Sequence, residues 1–158
     1  MERRKLRKKE AREISKEVFE RAGVKVEGEM EVLDFENVKI ILVNGEAILM
    51  EFDGKRYVSV YGAIKLRPEK YKVTVDSGAM DFILNGADVM KPGITYADPR
   101  IREGDFVYIT VEPKDTPIAV GIALCKAEEM KGKGKAIKNI HHVKDRIWRY
   151  LLESRLIL

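Results

Sequence analysis

The residues best suited to chemistry lie late in the chain. Lys131, Lys133 and Lys135 alternate with Gly132 and Gly134, and Lys138 follows three residues on. Ammonium groups on a backbone this flexible and approachable can meet phosphate oxygens, although a solvated loop would use the same residues. The pattern GxxxxGK[ST] is absent, so these lysines are not a nucleotide-binding P-loop. Four such contacts on single-stranded nucleic acid would lower log K by roughly three per decade of salt. His141 and His142 are adjacent, so their side chains diverge, and no nearby Cys or Glu completes a ligand set of ordinary spacing. Packing or a hydrogen bond is expected of them. Ser77 has no GxSxG elbow and no evident base. Cys125, the single cysteine, closes an apolar run and reads as a buried thiol. Trp148 could stack on a base, but its place on a terminal helix favours the core. No catalytic residue, metal ligand or cofactor is expected.

A second group stands earlier. Gly78 and Ala79 open a short helix, where uncovered backbone N–H groups can seat a phosphate. Pro92-Gly93 predicts a tight turn carrying Lys91 to a loop tip. Gly86 and Gly93 permit backbone conformations closed to other residues, and turn geometry alone is the alternative reason for them.

The elements that must position these residues can be read from periodicity. Residues 2–22 place Leu6, Ala11, Ile14, Val18, Phe19 and Ala22 at helical spacing, with Gly23 as the stop. The opposite face is crowded with Arg and Lys, either as solvated surface or as a contact face for RNA or a partner. From Met30 the period becomes that of strands. Asn44-Gly45 and Asp53-Gly54 separate apolar runs at 38–43, 47–52 and 56–61, predicting an antiparallel meander over 30–61. Pro68 lies in a polar break at 65–70, taken as the boundary between domains 1–70 and 71–158. Beyond it, strands are predicted at 71–75, 105–112, 118–125 and 132–140. Asp76 or Ser77 caps a short helix ending at Gly86. Asp145 caps a final helix whose inward residues are Ile147, Leu151, Trp148, Leu152 and Leu156. Short strands punctuated by Gly and Pro within about eighty residues suggest a small barrel. The fold class is therefore α+β, a small N-terminal α+β domain followed by a β-barrel.

Composition narrows the partners. In 158 residues there are 30 Lys and Arg against 26 Asp and Glu, and no Gln. Such a charge-rich surface suits a heat-adapted protein. Residues 1–21 carry nine basic and five acidic side chains, and residues 131–149 carry seven basic and one acidic. Two basic clusters flank a mildly acidic middle, which points to an anionic partner, nucleic acid foremost. No apolar run reaches the length of a membrane span and the N-terminus has no apolar signal core, so a soluble, cytoplasmic protein is expected.

The stretch VTVDSGAMDFILNGADVMKPGI (73–94), with EGDFVYITV (103–111) and IAVGIALC (118–125), resembles a PUA domain, the RNA-binding module named after pseudouridine synthases and archaeosine transglycosylases. The closing GKGKAIKNIHHVKDRIW (132–148) is similar to PUA proteins of the malignant T-cell amplified sequence and ligatin translation-factor group. The first seventy residues resemble the small domain preceding PUA in archaeal members. The resemblance implies a PUA-type barrel with RNA lying across the helix at 77–84, the loop at 91–94 and a late strand. Gly78, Ala79, Lys91, Pro92 and Gly93 occupy the corresponding positions. It also implies a non-enzymatic role in translation, since seventy further residues are too few for a modifying enzyme. The expected partners are tRNA at its acceptor end or rRNA, the small ribosomal subunit, and a translation-factor protein. A protein-docking module delivering such a factor, and an RNA-targeting subunit of a separate modifying enzyme, are the competing roles.

Overall fold

The computed structural model describes residues 2–157. The chain opens with a short strand rather than a helix: β1 (Arg4–Lys5) pairs antiparallel with β2 (Met30–Phe35). The helix expected over 2–22 occupies only Lys8–Ala22, α1. Two contacts set its start. The Leu6 N–H donates to the Met30 carbonyl at 2.9 Å and its side chain is buried, which holds residue 6 in an extended course. Glu10 reaches back to accept from the Arg7 N–H at 3.2 Å, as in a capping box. Ile14, Val18 and Ala22 are buried, whereas Phe19 is 57% exposed.

Strands β3 (Val38–Val43), β4 (Glu46–Phe52) and β5 (Lys55–Val58) complete an antiparallel sheet in sequence order. Both residues of Asn44-Gly45 (φ 50° and 84°) and of Asp53-Gly54 (φ 53° and 75°) are left-handed, as type I′ hairpins require. The strand expected over 56–61 stops at Val58. Ser59 instead caps a helix, α2 (Val60–Leu66), accepting from the Gly62 N–H at 3.0 Å and donating to the Ala47 carbonyl at 2.6 Å. The β-branched and aromatic residues here favour a strand, but the cap and the burial of Val60, Tyr61 and Ala63 override that preference.

The second sheet has six strands in the order β7-β11-β10-β9-β6-β8. They are β6 (Lys72–Val75), β7 (Val89–Met90), β8 (Ile94–Ala97), β9 (Phe106–Val111), β10 (Thr116–Ala123) and β11 (Lys135–His142). β6 and β9 run parallel, and the other neighbours run antiparallel. A single 3-10 turn, Lys91–Gly93, carries the chain from β7 at one edge to β8 at the other, so the sheet curls into a nearly closed barrel. The α+β class and the barrel both stand. The last strand lies later than 132–140, because Gly132 and Gly134 adopt φ of 94° and 104° and leave residues 131–134 as an exposed loop. β7 and β8 were not anticipated. Val73, Val75, Ile83, Val107, Ile109 and Ile137 fill the barrel.

Residues from both halves of the chain share the other core. Phe106, Tyr108 and Val120, on the outside of the barrel, join the side chains beneath the first sheet. Tyr57 stacks on Phe106 with centroids 5.1 Å apart, and the Tyr108 hydroxyl donates to the Pro68 carbonyl at 2.7 Å. The final helix, α4 (Arg146–Glu153), also returns to the first sheet. Its Tyr150 stacks on Phe35 at 4.9 Å, and the Ala47 N–H donates to the Leu156 carbonyl at 2.9 Å. Ile147, Leu151, Leu156 and Ile157 are buried, and Trp148 is half-buried against the same core. Leu152 is 51% exposed, so it does not face inward as expected.

Candidate nucleic-acid interface

The short helical segment after β6 and the turn between β7 and β8 form the walls of one groove. The Asp76 carboxylate starts the first wall by accepting from the Ala79 N–H at 3.1 Å, and residues 77–79 form a 3-10 turn continued by α3 (Met80–Leu84). The Asp76 N–H donates to the Gly93 carbonyl at 2.9 Å, which ties the second wall to the first. A Cβ at Gly93 would lie 3.3 Å from the Ala79 Cβ. Gly93 does not have a positive φ, so its use is close approach of the two walls and not a left-handed turn, as was expected. Gly86 does adopt a φ of 94°.

The groove encloses about 740 Å³ and is lined by Gly78, Ala79, Phe82, Gly86, Met90, Pro92, Gly93 and Lys135, with Asp76 and Asp88 at its polar points. Its lining is largely apolar, and Phe82 and Met90 are 70% and 47% exposed. A solvated aromatic ring beside small residues is a stacking platform. Of the two N–H groups expected to seat a phosphate, at Gly78 and Ala79, that of Ala79 is engaged. Asp76 consumes the Ala79 N–H and places a carboxylate where an anion would sit.

The lysines divide. Lys135 lines the groove with its Nζ 3.2 Å from Asp88 Oδ2. Lys91 is half-buried, not at a loop tip, and its N–H donates to the Gly134 carbonyl at 2.9 Å, holding the Lys–Gly loop beside the groove. Lys133 is exposed on that loop. Lys131 lines a different groove, with Arg100, Arg102 and Lys126. Lys138 projects away, its ammonium 5.6 Å from the centre of the Phe52 ring in the first sheet. The structure thus brings together Gly78, Ala79, Pro92, Gly93 and Lys135, with Lys91 and Lys133 adjacent, and separates Lys131 and Lys138. Phe82, Met90, Arg102 and Lys126 escaped the sequence reading. Phe82 is exposed beside Ile83, the buried residue of α3.

The histidines serve structure. His141 is fully buried with Nδ1 2.7 Å from Asp145 Oδ2, and His142 Nδ1 donates to the Val143 carbonyl at 2.8 Å. Burial raises the Asp145 carboxyl, but the hydrogen bond and charge of His141 and the Trp148 and His142 N–H groups outweigh it and hold it below the usual range. Cys125 is half-buried. Among the described residues no group of three or more His, Cys, Asp or Glu is placed to hold a metal ion, and no helix is long and apolar enough to cross a membrane.

A barrel of this strand order, closed by a glycine turn against a short helix, defines a PUA-domain protein, and residues 71–143 match the PUA domain family. Residues 2–65 match a domain of unknown function, DUF1947. The chain is 43% identical over 152 residues to an uncharacterized protein of Methanocaldococcus jannaschii, covering 92% of this chain and 94% of that one. It is 32% identical over 130 residues to Translation machinery-associated protein 20 of Saccharomyces cerevisiae, covering 75% and 70%. The crystal structure of a hypothetical protein from Pyrococcus horikoshii is similar at a TM-score of 0.83 and 36% identity, covering 94% of this chain and 99% of that one. The chain belongs to the family of PUA proteins that includes Translation machinery-associated protein 20 and malignant T-cell-amplified sequence 1.

Proposed function

We propose that this protein is a non-catalytic RNA binder of the translation apparatus that holds single-stranded RNA, the acceptor end of tRNA or an rRNA segment of the small subunit, in the groove between α3 and the Lys91–Gly93 turn. The observation that carries this reading is the groove itself, apolar, open and floored by the exposed Phe82 ring. Single-stranded bases stack on such rings, while loop backbone and positioned polar groups read their edges. Lys133, exposed on the loop that leads to Lys135, supplies charge for the backbone. The names of the relatives support a place in translation, and initiation, reinitiation or recycling is the step this reading assigns.

Binding of purified protein to tRNA with and without its 3′ CCA, at two salt concentrations, tests the reading. Loss of affinity on trimming that persists at the higher salt supports recognition of the acceptor end. Binding that ignores CCA and vanishes with salt counts against the groove. It would favour a protein-docking role, in which pulldown of a translation-factor partner survives nuclease.

A further inference from the structure

The base groove is a poor place for phosphates. Of its charged lining residues, Lys135 is paired with Asp88, and Asp76 remains as a carboxylate. An RNA strand seated there puts its bases inward and must carry its backbone charge elsewhere. The exposed stretch 131–135, which carries Lys133, leads from Lys135 on the first groove to Lys131 on a second groove of about 580 Å³.

That second groove is lined by Arg100, Arg102, Lys126 and Lys131, with Glu128 the single carboxylate among its lining residues. Not all four cations are free. Arg100 is committed to Asp98 at 2.8 Å and Glu69 at 3.1 Å, and Lys126 pairs with Glu128 at 3.0 Å. Arg102 and Lys131 are exposed and have no ion-pair partner among the described residues. Two exposed cations without carboxylate partners on the lining of one groove attract an anion. Lys135 lies four residues after Lys131, so their Cα atoms are at most roughly 14 Å apart. At a stacked rise of roughly 3.4 Å per nucleotide the loop spans no more than about four nucleotides.

We propose that this groove is a phosphodiester-backbone site, in which Arg102 and Lys131 hold the RNA strand beyond the bases seated on Phe82. The inference rests on the RNA-binding reading above and extends it. The first groove selects for single-stranded bases, and the second requires length.

The test is fluorescence anisotropy with 5′-labelled oligoadenylates of three and twelve nucleotides, across a series of salt concentrations, for wild type, Arg102→Gln/Lys131→Gln and Phe82→Ala. The double variant is expected to bind the twelve-mer about tenfold more weakly, with a salt slope shallower by about 1.4. Its affinity for the trimer stays within about twofold and its melting temperature is unchanged, both side chains being exposed and unpaired. Phe82→Ala weakens both lengths and leaves the slope in place. Equal losses on both lengths, or an unchanged slope on the twelve-mer, overturn the second groove and leave the first standing. A wild-type protein that binds neither oligonucleotide overturns the RNA reading and the second groove together.

Discussion

His141 Nδ1 lies 2.7 Å from Asp145 Oδ2, and this one contact joins the end of the barrel's last strand to the cap of the final helix. The same carboxylate accepts from the His142 N–H at 2.9 Å and, through its other oxygen, from the Trp148 N–H at 2.7 Å. Asp145→Ala removes the cap and strands a buried imidazole, so a loss of about 3 kcal/mol is expected in urea unfolding. Asp145→Asn, which keeps a capping oxygen, should lose less.

The pH dependence of stability follows from carboxylates held low. For Glu17, Asp98, Asp115 and Asp145 burial raises the carboxyl, but hydrogen bonds and opposing charges outweigh it in each case. A group whose folded pKa is depressed stabilises the fold fully above its unfolded value, about 4, and loses that contribution as pH falls through the folded one. Melting temperature should therefore fall steeply below about pH 4. Asp145→Asn should make that fall shallower; an unchanged acid limb would remove Asp145 from the account.

Phe82 separates binding from folding. At 70% exposure its ring contributes little to the core, so Phe82→Ala should shift stability by no more than about 0.5 kcal/mol. Loss of one stacking contact is worth about 1–3 kcal/mol in RNA affinity. Equal affinity of the variant and the wild type for single-stranded RNA would dismiss the ring.

Lys133→Ala with Lys135→Ala should lower RNA affinity and make the salt slope shallower by about 0.7, the phosphate contact being that of Lys133. Both residues are exposed, and the Lys135–Asp88 pair at 3.2 Å is a surface pair worth about 0–1 kcal/mol, so the melting temperature should barely move. Unaltered binding would show the loop to be only solvated surface.

Two glycines should respond differently to substitution. At Gly121, in the bulge where β10 meets β11, a Cβ would run into the Lys138 carbonyl oxygen and the Ile137 side chain. Gly121→Ala should cost about 1–3 kcal/mol because backbone must shift. At Gly93 the obstacle is the Ala79 Cβ at 3.3 Å, so Gly93→Val should disturb the groove walls, losing RNA binding along with some stability.

Much of this fold was legible because its signals are local. Asn44-Gly45 and Asp53-Gly54 specify hairpins by left-handed residues alone, and Asp145 announces its helix through side-chain capping. What escaped depends on distant partners. Residues 4–6 look helical until Leu6 meets Met30, and Val60 and Tyr61 look like the end of a strand until Ser59 meets Ala47. The glycine positions on the groove walls were visible as turn residues. That Asp76 engages the Ala79 N–H of the expected phosphate seat, and that Lys131 and Lys135 line different grooves, depends on how the chain closes on itself.

The return of α4 to the first sheet has a consequence for biosynthesis. The core under that sheet is complete only when residues 147–157 are in place, some ninety residues after α2 ends. At translation rates of roughly 5–20 residues per second, the N-terminal unit must wait roughly 5–20 s with that flank uncovered. Nascent chains halted before residue 147 should therefore be protease-sensitive in the first sheet and α1, the segment whose own strands were finished first.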